Sequence, residues 1–160
     1  MRIVLDTNVL VYAFLTPEFV AKVRRDEWLE LHGKARRLYE KVLAGRHILF
    51  IPSVVLVESG AVISGMTRDE NKARMVVENV KNIAWIVYDD PYFTEKCIEY
   101  GIKLRLSGFD TKIAACAIEN SANLITDDRK FYEKFSQRAD EYKIRVYLLR
   151  QMSINQIEQL

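Results

Sequence analysis

Only two cysteines occur in the 160 residues, Cys97 and Cys116. Both fall in helix-like apolar patterns, so a disulfide scaffold is excluded and they read as free thiols in a reducing compartment. Histidine is as rare. His32 and His47 have neither the spacing nor the company that zinc requires, and His32, standing before Gly33, reads as the end of a helix. Long apolar runs are missing too. The opening Ile3-Val4-Leu5 is interrupted at once by Asp6, and no stretch approaches the roughly 20 apolar residues of a membrane span. A cytoplasmic protein with no signal peptide is the expectation. Excess charge of one sign is also lacking: the net charge is +2 and the pI about 8.5, which permits a nucleic-acid partner without announcing one. Repeats, low-complexity stretches and linkers are absent. A chain of this length, 49% hydrophobic, is expected to form a single domain over residues 1–160.

What the chain does contain is an alternation of short β-branched runs with segments of helical period. Ile3–Leu5, Ile48–Ile51, Ala84–Tyr88, Asn123–Thr126 and Ile144–Leu148 read as strands. Most are apolar without alternation, as in a strand buried on both faces, and the segments between them supply the crossovers of a parallel sheet. The fold class is therefore α/β, with a mostly parallel sheet of about five strands flanked by helices. Ala35, Leu38, Tyr39, Val42 and Leu43 mark an amphipathic helix stopped by Gly45. Asp90-Pro91 opens another that runs to about Gly101, and Phe109, Ile113, Ala114, Ala117 and Ile118 mark a third. Residues 18–32 look helical but less regular. Ser153 and Gln156 form a capping box for a short terminal helix.

Four acidic residues stand at transitions in this pattern: Asp6 and Asp128 just past strand ends, Asp110 in a helix's first turn, and Glu58 within a helix between Val54, Val55, Ala61 and Val62. Each aspartate taken alone has an ordinary reading. Asp6-Thr7-Asn8 suits a turn, Ser107-Gly108-Phe109-Asp110 has the form of a capping box, and Asp127-Asp128 could cap the helix beginning near Arg129. Glu58 has none, because no cap or turn places a carboxylate mid-helix among apolar neighbours. In an open α/β sheet the reactive site lies outside the carboxyl ends of the strands. Carboxylates gathered there at about 4 Å would repel by roughly 4 kcal/mol per pair at an effective dielectric of about 20, and a divalent cation is the natural remedy. Oxygen-only ligands suit Mg²⁺ or Mn²⁺. Asp89-Asp90 is set aside, since Asp90 is explained by helix initiation.

These residues, in Ile3-Val4-Leu5-Asp6-Thr7-Asn8, Pro52-Ser53-Val54-Val55-Leu56-Val57-Glu58, Gly108-Phe109-Asp110-Thr111-Lys112-Ile113-Ala114-Ala115 and Leu124-Ile125-Thr126-Asp127-Asp128-Arg129-Lys130-Phe131, resemble the PIN-domain ribonucleases, and within them the VapC-type toxins of toxin–antitoxin pairs. The resemblance covers about residues 1–135. It implies a PIN-like domain that hydrolyses RNA phosphodiesters with Mg²⁺ or Mn²⁺, leaving 5′-phosphate and 3′-hydroxyl ends, with Asp6, Glu58, Asp110 and Asp128 as metal-binding catalytic carboxylates. Thr126 and Asn8 would support them by hydrogen bonds, and Asp127 is the alternative to Asp128. A homodimer and an antitoxin partner, masking the carboxylates with Arg or Lys, are further implications. Lys103, Arg105, Lys112, Arg129 and Lys130 are candidate RNA contacts, against the ordinary reading of solvated charge. Residues Thr16 to about Leu31 are longer than the connection usual in compact VapC-like chains and would form a lid, a dimer element, an antitoxin contact or an extra surface helix. Two other functions stay open: an RNA-processing, ribosome-associated or non-catalytic RNA-binding module, and a phosphoaspartate phosphotransferase, which would want a second aspartate where Asn8 stands.

Overall fold

In the computed structural model, which describes all 160 residues, five strands form one parallel sheet in the order β3-β2-β1-β4-β5. They are β1 (Arg2–Leu5), β2 (Ile48–Pro52), β3 (Trp85–Val87), β4 (Asn123–Thr126) and β5 (Val146–Leu148). The two inner pairings put Val4 opposite Phe50 on one side and Leu124 on the other. Ile3, Val4 and Leu5 are wholly buried, as a central strand covered on both faces must be. No strand runs antiparallel, so every connection is a helical crossover. No helix is long and apolar enough to cross a membrane.

Eight α-helices make those crossovers and close the chain: α1 (Thr7–Phe14), α2 (Arg25–Leu43), α3 (Ser53–Thr67), α4 (Glu70–Ile83), α5 (Pro91–Leu104), α6 (Gly108–Glu119), α7 (Arg129–Ala139) and α8 (Ile154–Gln159). Asp90 caps α5 through the Phe93 N–H at 2.7 Å, and the Ser153–Gln156 box closes reciprocally at α8. Two helices lie outside the segments read from the sequence. In α1, Val9, Leu10, Val11, Tyr12 and Ala13 are all buried, so there is no polar face to reveal a period of 3.6. In α4, Ala73, Val76 and Val80 are buried and Val77 and Ile83 pack against the core beside them, behind an Asp69 cap.

Residues 16–24 form two short 3₁₀ turns (Pro17–Phe19 and Lys22–Arg24), and α2 then runs unbroken through His32 and Gly33 to Leu43. The expectation of a helix ending at His32 is thereby corrected. His32 stays in the helix because Nδ1 lies 2.6 Å from the Tyr12 carbonyl oxygen, while Trp28 donates Nε1–H to the Leu15 carbonyl at 2.8 Å and meets Tyr12 edge-on at 4.7 Å. Tertiary contacts between α1 and α2 outweigh the glycine. The true stop is Gly45, at φ +69.

A Cβ built at Gly33 meets nothing within 4 Å, so this glycine costs helix propensity and relieves no crowding. Gly33→Ala is expected to raise unfolding free energy by about 0.5–1 kcal/mol in urea titration. A loss of stability would mean that the helix bends at this point.

Candidate active site

The chain builds β1, then β2 and β3 on one side, and then crosses to the other side of β1 to lay down β4 and β5. The switch point therefore lies between the carboxyl ends of β1 and β4, where the crossovers diverge and leave a crevice. Asp6 and Thr126 stand there. The Asp6 N–H continues the ladder to the Ile125 carbonyl at 3.0 Å. Its carboxylate caps α1, accepting from the Thr7 N–H at 2.6 Å through Oδ1, and accepts the Thr126 hydroxyl at 2.6 Å through Oδ2. The Asp128 N–H in turn donates to Thr126 Oγ1 at 2.9 Å. The Thr126 hydroxyl is thus committed as a donor toward Asp6, and both carboxylate oxygens are fixed in place.

Asp6 is only 5% exposed. Burial raises its carboxyl from 3.8 to about 6 despite the donors from Thr126 and Thr7, and the negative charges of Asp110 and Glu58 push the same way. Those three groups therefore share one electrostatic neighbourhood, although Asp6 precedes α1, Glu58 lies in α3 and Asp110 in α6. Asp110 is also raised, first by burial and then by Asp128, with the Ser107 hydroxyl and Lys134 opposing. The charges of Glu58 and Asp110 both bear on Asp6 and that of Asp128 bears on Asp110, but no three of the four carboxylates close upon one point as a ready-made metal cage. The donor set fits Mg²⁺, which keeps several of its waters and needs only one or two direct carboxylates.

The capping readings can now be checked atom by atom. Ser107 Oγ accepts from the Asp110 N–H at 3.1 Å, but the reciprocal bond that would complete a box is not formed, so the Asp110 carboxylate is not consumed by the helix end. Asp128 does cap α7, with Oδ1 accepting the Phe131 N–H at 2.9 Å. Glu58 is half-buried in the interior of α3, where no cap holds it. Asn8 is exposed on α1 and is not hydrogen-bonded to any of the carboxylates. Among the basic candidates, Lys103 pairs with Glu99 at 2.5 Å, Lys112 with Asp89 at 2.8 Å and Arg129 with Glu133 at 2.8 Å. Arg105 and Lys130 have no acidic partner.

Asp127 is turned away from the hollow. Its carboxylate accepts from Arg150 Nε at 2.9 Å, Nη2 at 2.6 Å and backbone N–H at 3.2 Å, and from the Tyr12 hydroxyl at 3.1 Å. Burial is the main reason that the Tyr12 hydroxyl is pushed up to about 12, with the Asp127 charge next. Sequence reading singled out neither Arg150 nor Tyr12, because their only signal is spatial. Together they fasten the β4 turn to α1 and to the segment after β5. Another basic residue not anticipated is Lys134, whose charge reaches Asp110.

Comparison with known proteins places these features in context. The family model described as "PIN domain" matches residues 3–135. Among solved structures, VapBC2 of Rickettsia felis bound to a promoter DNA fragment aligns at 20% identity and TM-score 0.59 over 92% of this chain and 99% of that one. VapBC-1 of nontypeable Haemophilus influenzae aligns at 14% identity and TM-score 0.61, over 94% and 100%. Mycobacterium tuberculosis VapC20, described as a sarcin–ricin loop cleaving toxin, aligns at 15% identity and TM-score 0.56, over 82% and 93%. A search of curated proteins returned no match.

Two stability predictions follow from the buried charges. Because the folded-state pKa of Asp6 lies above its unfolded value, its ionisation opposes folding: the cost is complete above about pH 6 and disappears as pH falls toward 3.8. Replacing it with Asn removes up to about 3 kcal/mol of that cost but also spoils one of two accepted hydrogen bonds, so Asp6→Asn is expected to stabilise the chelator-treated protein by about 1–2 kcal/mol at neutral pH. Thermal unfolding at pH 7.5 and pH 4 tests this, with the gain present only at the higher pH. Arg150→Ala leaves the 1%-exposed Asp127 side chain short of its charged partner. Allowing for solvent contact of the guanidinium, a loss of about 2–4 kcal/mol in urea titration is expected, and a loss below about 0.5 kcal/mol would show the clamp to be dispensable.

Proposed function

Because this chain belongs to the PIN-domain family, its residues 3–135 matching the family model, we propose that it is a metal-dependent endoribonuclease acting at the Asp6 hollow, as the toxin of a VapBC-type pair. The observation that carries the reading is the state of Asp6. A carboxylate is buried at the switch point, oriented through both oxygens, and driven toward protonation by its surroundings and by two further carboxylates. As a purely structural element such a group is a liability, whereas beside a divalent cation each of those interactions reverses sign.

Asp6 would hold the ion most directly, with Asp110 and Glu58 facing it from α6 and α3 and Asp128 completing the ring directly or through water. A bound Mg²⁺ or Mn²⁺ would supply a nucleophile of lowered pKa and neutralise charge developing on the phosphodiester. The protein's own work is positional. Thr126 keeps the Asp6 lone pairs aimed, and the Asp128 backbone keeps Thr126 aimed. The Asp127–Arg150 clamp holds the turn that carries both. Asn8, exposed on the first turn of α1, is placed to meet substrate or an outer water. The α6 N-terminus, with its free first-turn N–H groups, favours the negative charge of Asp110 and of an approaching phosphate. RNA as the substrate and an antitoxin as the partner rest on the family and on neighbours described as VapBC and as a sarcin–ricin loop cleaving toxin; a homodimer is part of the same reading.

The test is cleavage of a structured RNA by the purified chain in Mg²⁺ or Mn²⁺ against chelator. Asp6→Asn and Asp110→Asn are each expected to lower the rate at least about 100-fold while circular dichroism stays unchanged. Products should carry 5′-phosphates. Undiminished cleavage in both variants would remove these carboxylates from the reaction, and cleavage indifferent to chelator would remove the metal.

A further inference from the structure

Helix α7 begins at the site, since its N-cap is Asp128, and its charged residues divide into two sets. Arg129 is paired with Glu133, and Arg138 with Glu141 at 2.9 Å, while Lys130 and Lys134 have no carboxylate within ion-pair distance. Those two lysines are four residues apart, so their side chains share one face of the helix. Both are exposed, on a face of α7 flanking the buried Phe131 and Phe135. Lys130 follows the Asp128 cap by two residues and Lys134 by six, so the pair starts at the site end of α7. A third unpaired cation is Arg105, the left-handed C-cap of α5, two residues from Lys103, whose carbonyl oxygen accepts a hydrogen bond from Arg138 in α7, which joins the end of α5 to the turn beyond Lys134. Of the basic residues on α5, α6 and α7 and at the α5 cap, Lys96, Lys103, Lys112, Arg129 and Arg138 are ion-paired, whereas Lys130, Lys134 and Arg105 are not.

Resting on the ribonuclease reading above, we propose that Lys130, Lys134 and Arg105 form a phosphate-binding ridge that grips the backbone of a single RNA strand on one side of the scissile bond. The lysines repeat along α7 at one helical turn, a step comparable to that between successive phosphates of an extended strand. The ridge starts beside Asp128 and leads away from it. Its cations contact phosphates outside the reacting centre, so they bind substrate and transition state equally and govern KM rather than kcat. Charge without a base-edge partner gives affinity without sequence preference. An acidic peptide could also be attracted there. The start of the row two residues after the Asp128 cap favours a phosphate chain that ends at the proposed cleavage site.

The experiment compares the wild type, Lys130→Gln/Lys134→Gln, Lys134→Arg and the control Lys103→Gln/Arg129→Gln. Cleavage of a fluorogenic single-stranded RNA is measured in Mg²⁺, and binding of an uncleavable analogue by anisotropy from low to moderate salt. The double variant is expected to raise KM about tenfold with kcat within about twofold, and to flatten the slope of log K against log salt by about 1.4, or roughly 0.7 per lost contact on a single strand. Lys134→Arg and the control should behave as wild type. Wild-type KM and salt slope in the double variant, or an equal effect in the control, would overturn the ridge and leave the nuclease intact. If the wild type binds RNA but does not cleave it, the binding arm alone decides the ridge while the nuclease reading falls; if it binds no RNA, both fall.

Discussion

A carboxylate placed at the end of a central parallel strand has lost most of its water, and the surrounding structure must replace it. Here the replacement is the Thr126 hydroxyl, reached across the β1–β4 pairing at 2.6 Å, together with the first N–H of α1. Neither donor is charged, so together they orient Asp6 without neutralising it, and its carboxyl stays high at about 6. Everything else in the crevice answers this constraint. The sheet must hold β1 and β4 in register so that Thr126 can reach Asp6. The β4 turn must hold Asp128 so that its N–H can reach Thr126, and α3 and α6 bring further negative charge instead of relief.

The neighbouring aspartates Asp127 and Asp128 show how adjacent residues of the same type are given opposite duties. Strand geometry sends successive side chains to opposite faces, and the turn after β4 keeps that divergence. Asp127 goes inward to a guanidinium, a tyrosine hydroxyl and a backbone N–H, and its charge is fully used. Asp128 goes outward, caps α7 with one oxygen and leaves the other without a protein partner. A carboxylate already held by Arg150 is poorly suited to release its partner for an ion, which supports Asp128 as the group beside the metal.

Much of this was legible in the residues alone. Uninterrupted apolar strands and the helical segments between them gave a parallel α/β sheet, because burial on both faces erases alternation. Asp6, Asp110, Asp128 and Glu58 could be picked out because each sits at a transition or against the apolar pattern. Helix α1 escaped notice for the same physical reason that β1 was visible: a segment buried all round has no polar face to betray its period. The break read at His32-Gly33 was overridden by α1 packing against α2. Ion pairing was illegible as well, since Lys112 meets Asp89 from 23 residues away and Lys130 meets no acid at all. Sequence lists the charges of a helix but does not disclose which of them are spent. The same limit concealed Arg150, whose partner lies 23 residues upstream.

The connection between α1 and α2 carries one more implication. Phe19, in its first 3₁₀ turn, lies beneath the Lys72 ammonium of α4 at 4.1 Å from the ring centre. That contact bridges the α1–α2 arm to the α3–α4 arm, which contributes Glu58. With both partners half-buried, a contact of this kind is worth about 0.5–2 kcal/mol. The contact adds to the packing of α1 directly against α3, so the arm that follows Asp6 and the arm that carries Glu58 are joined both through the core and at the rim.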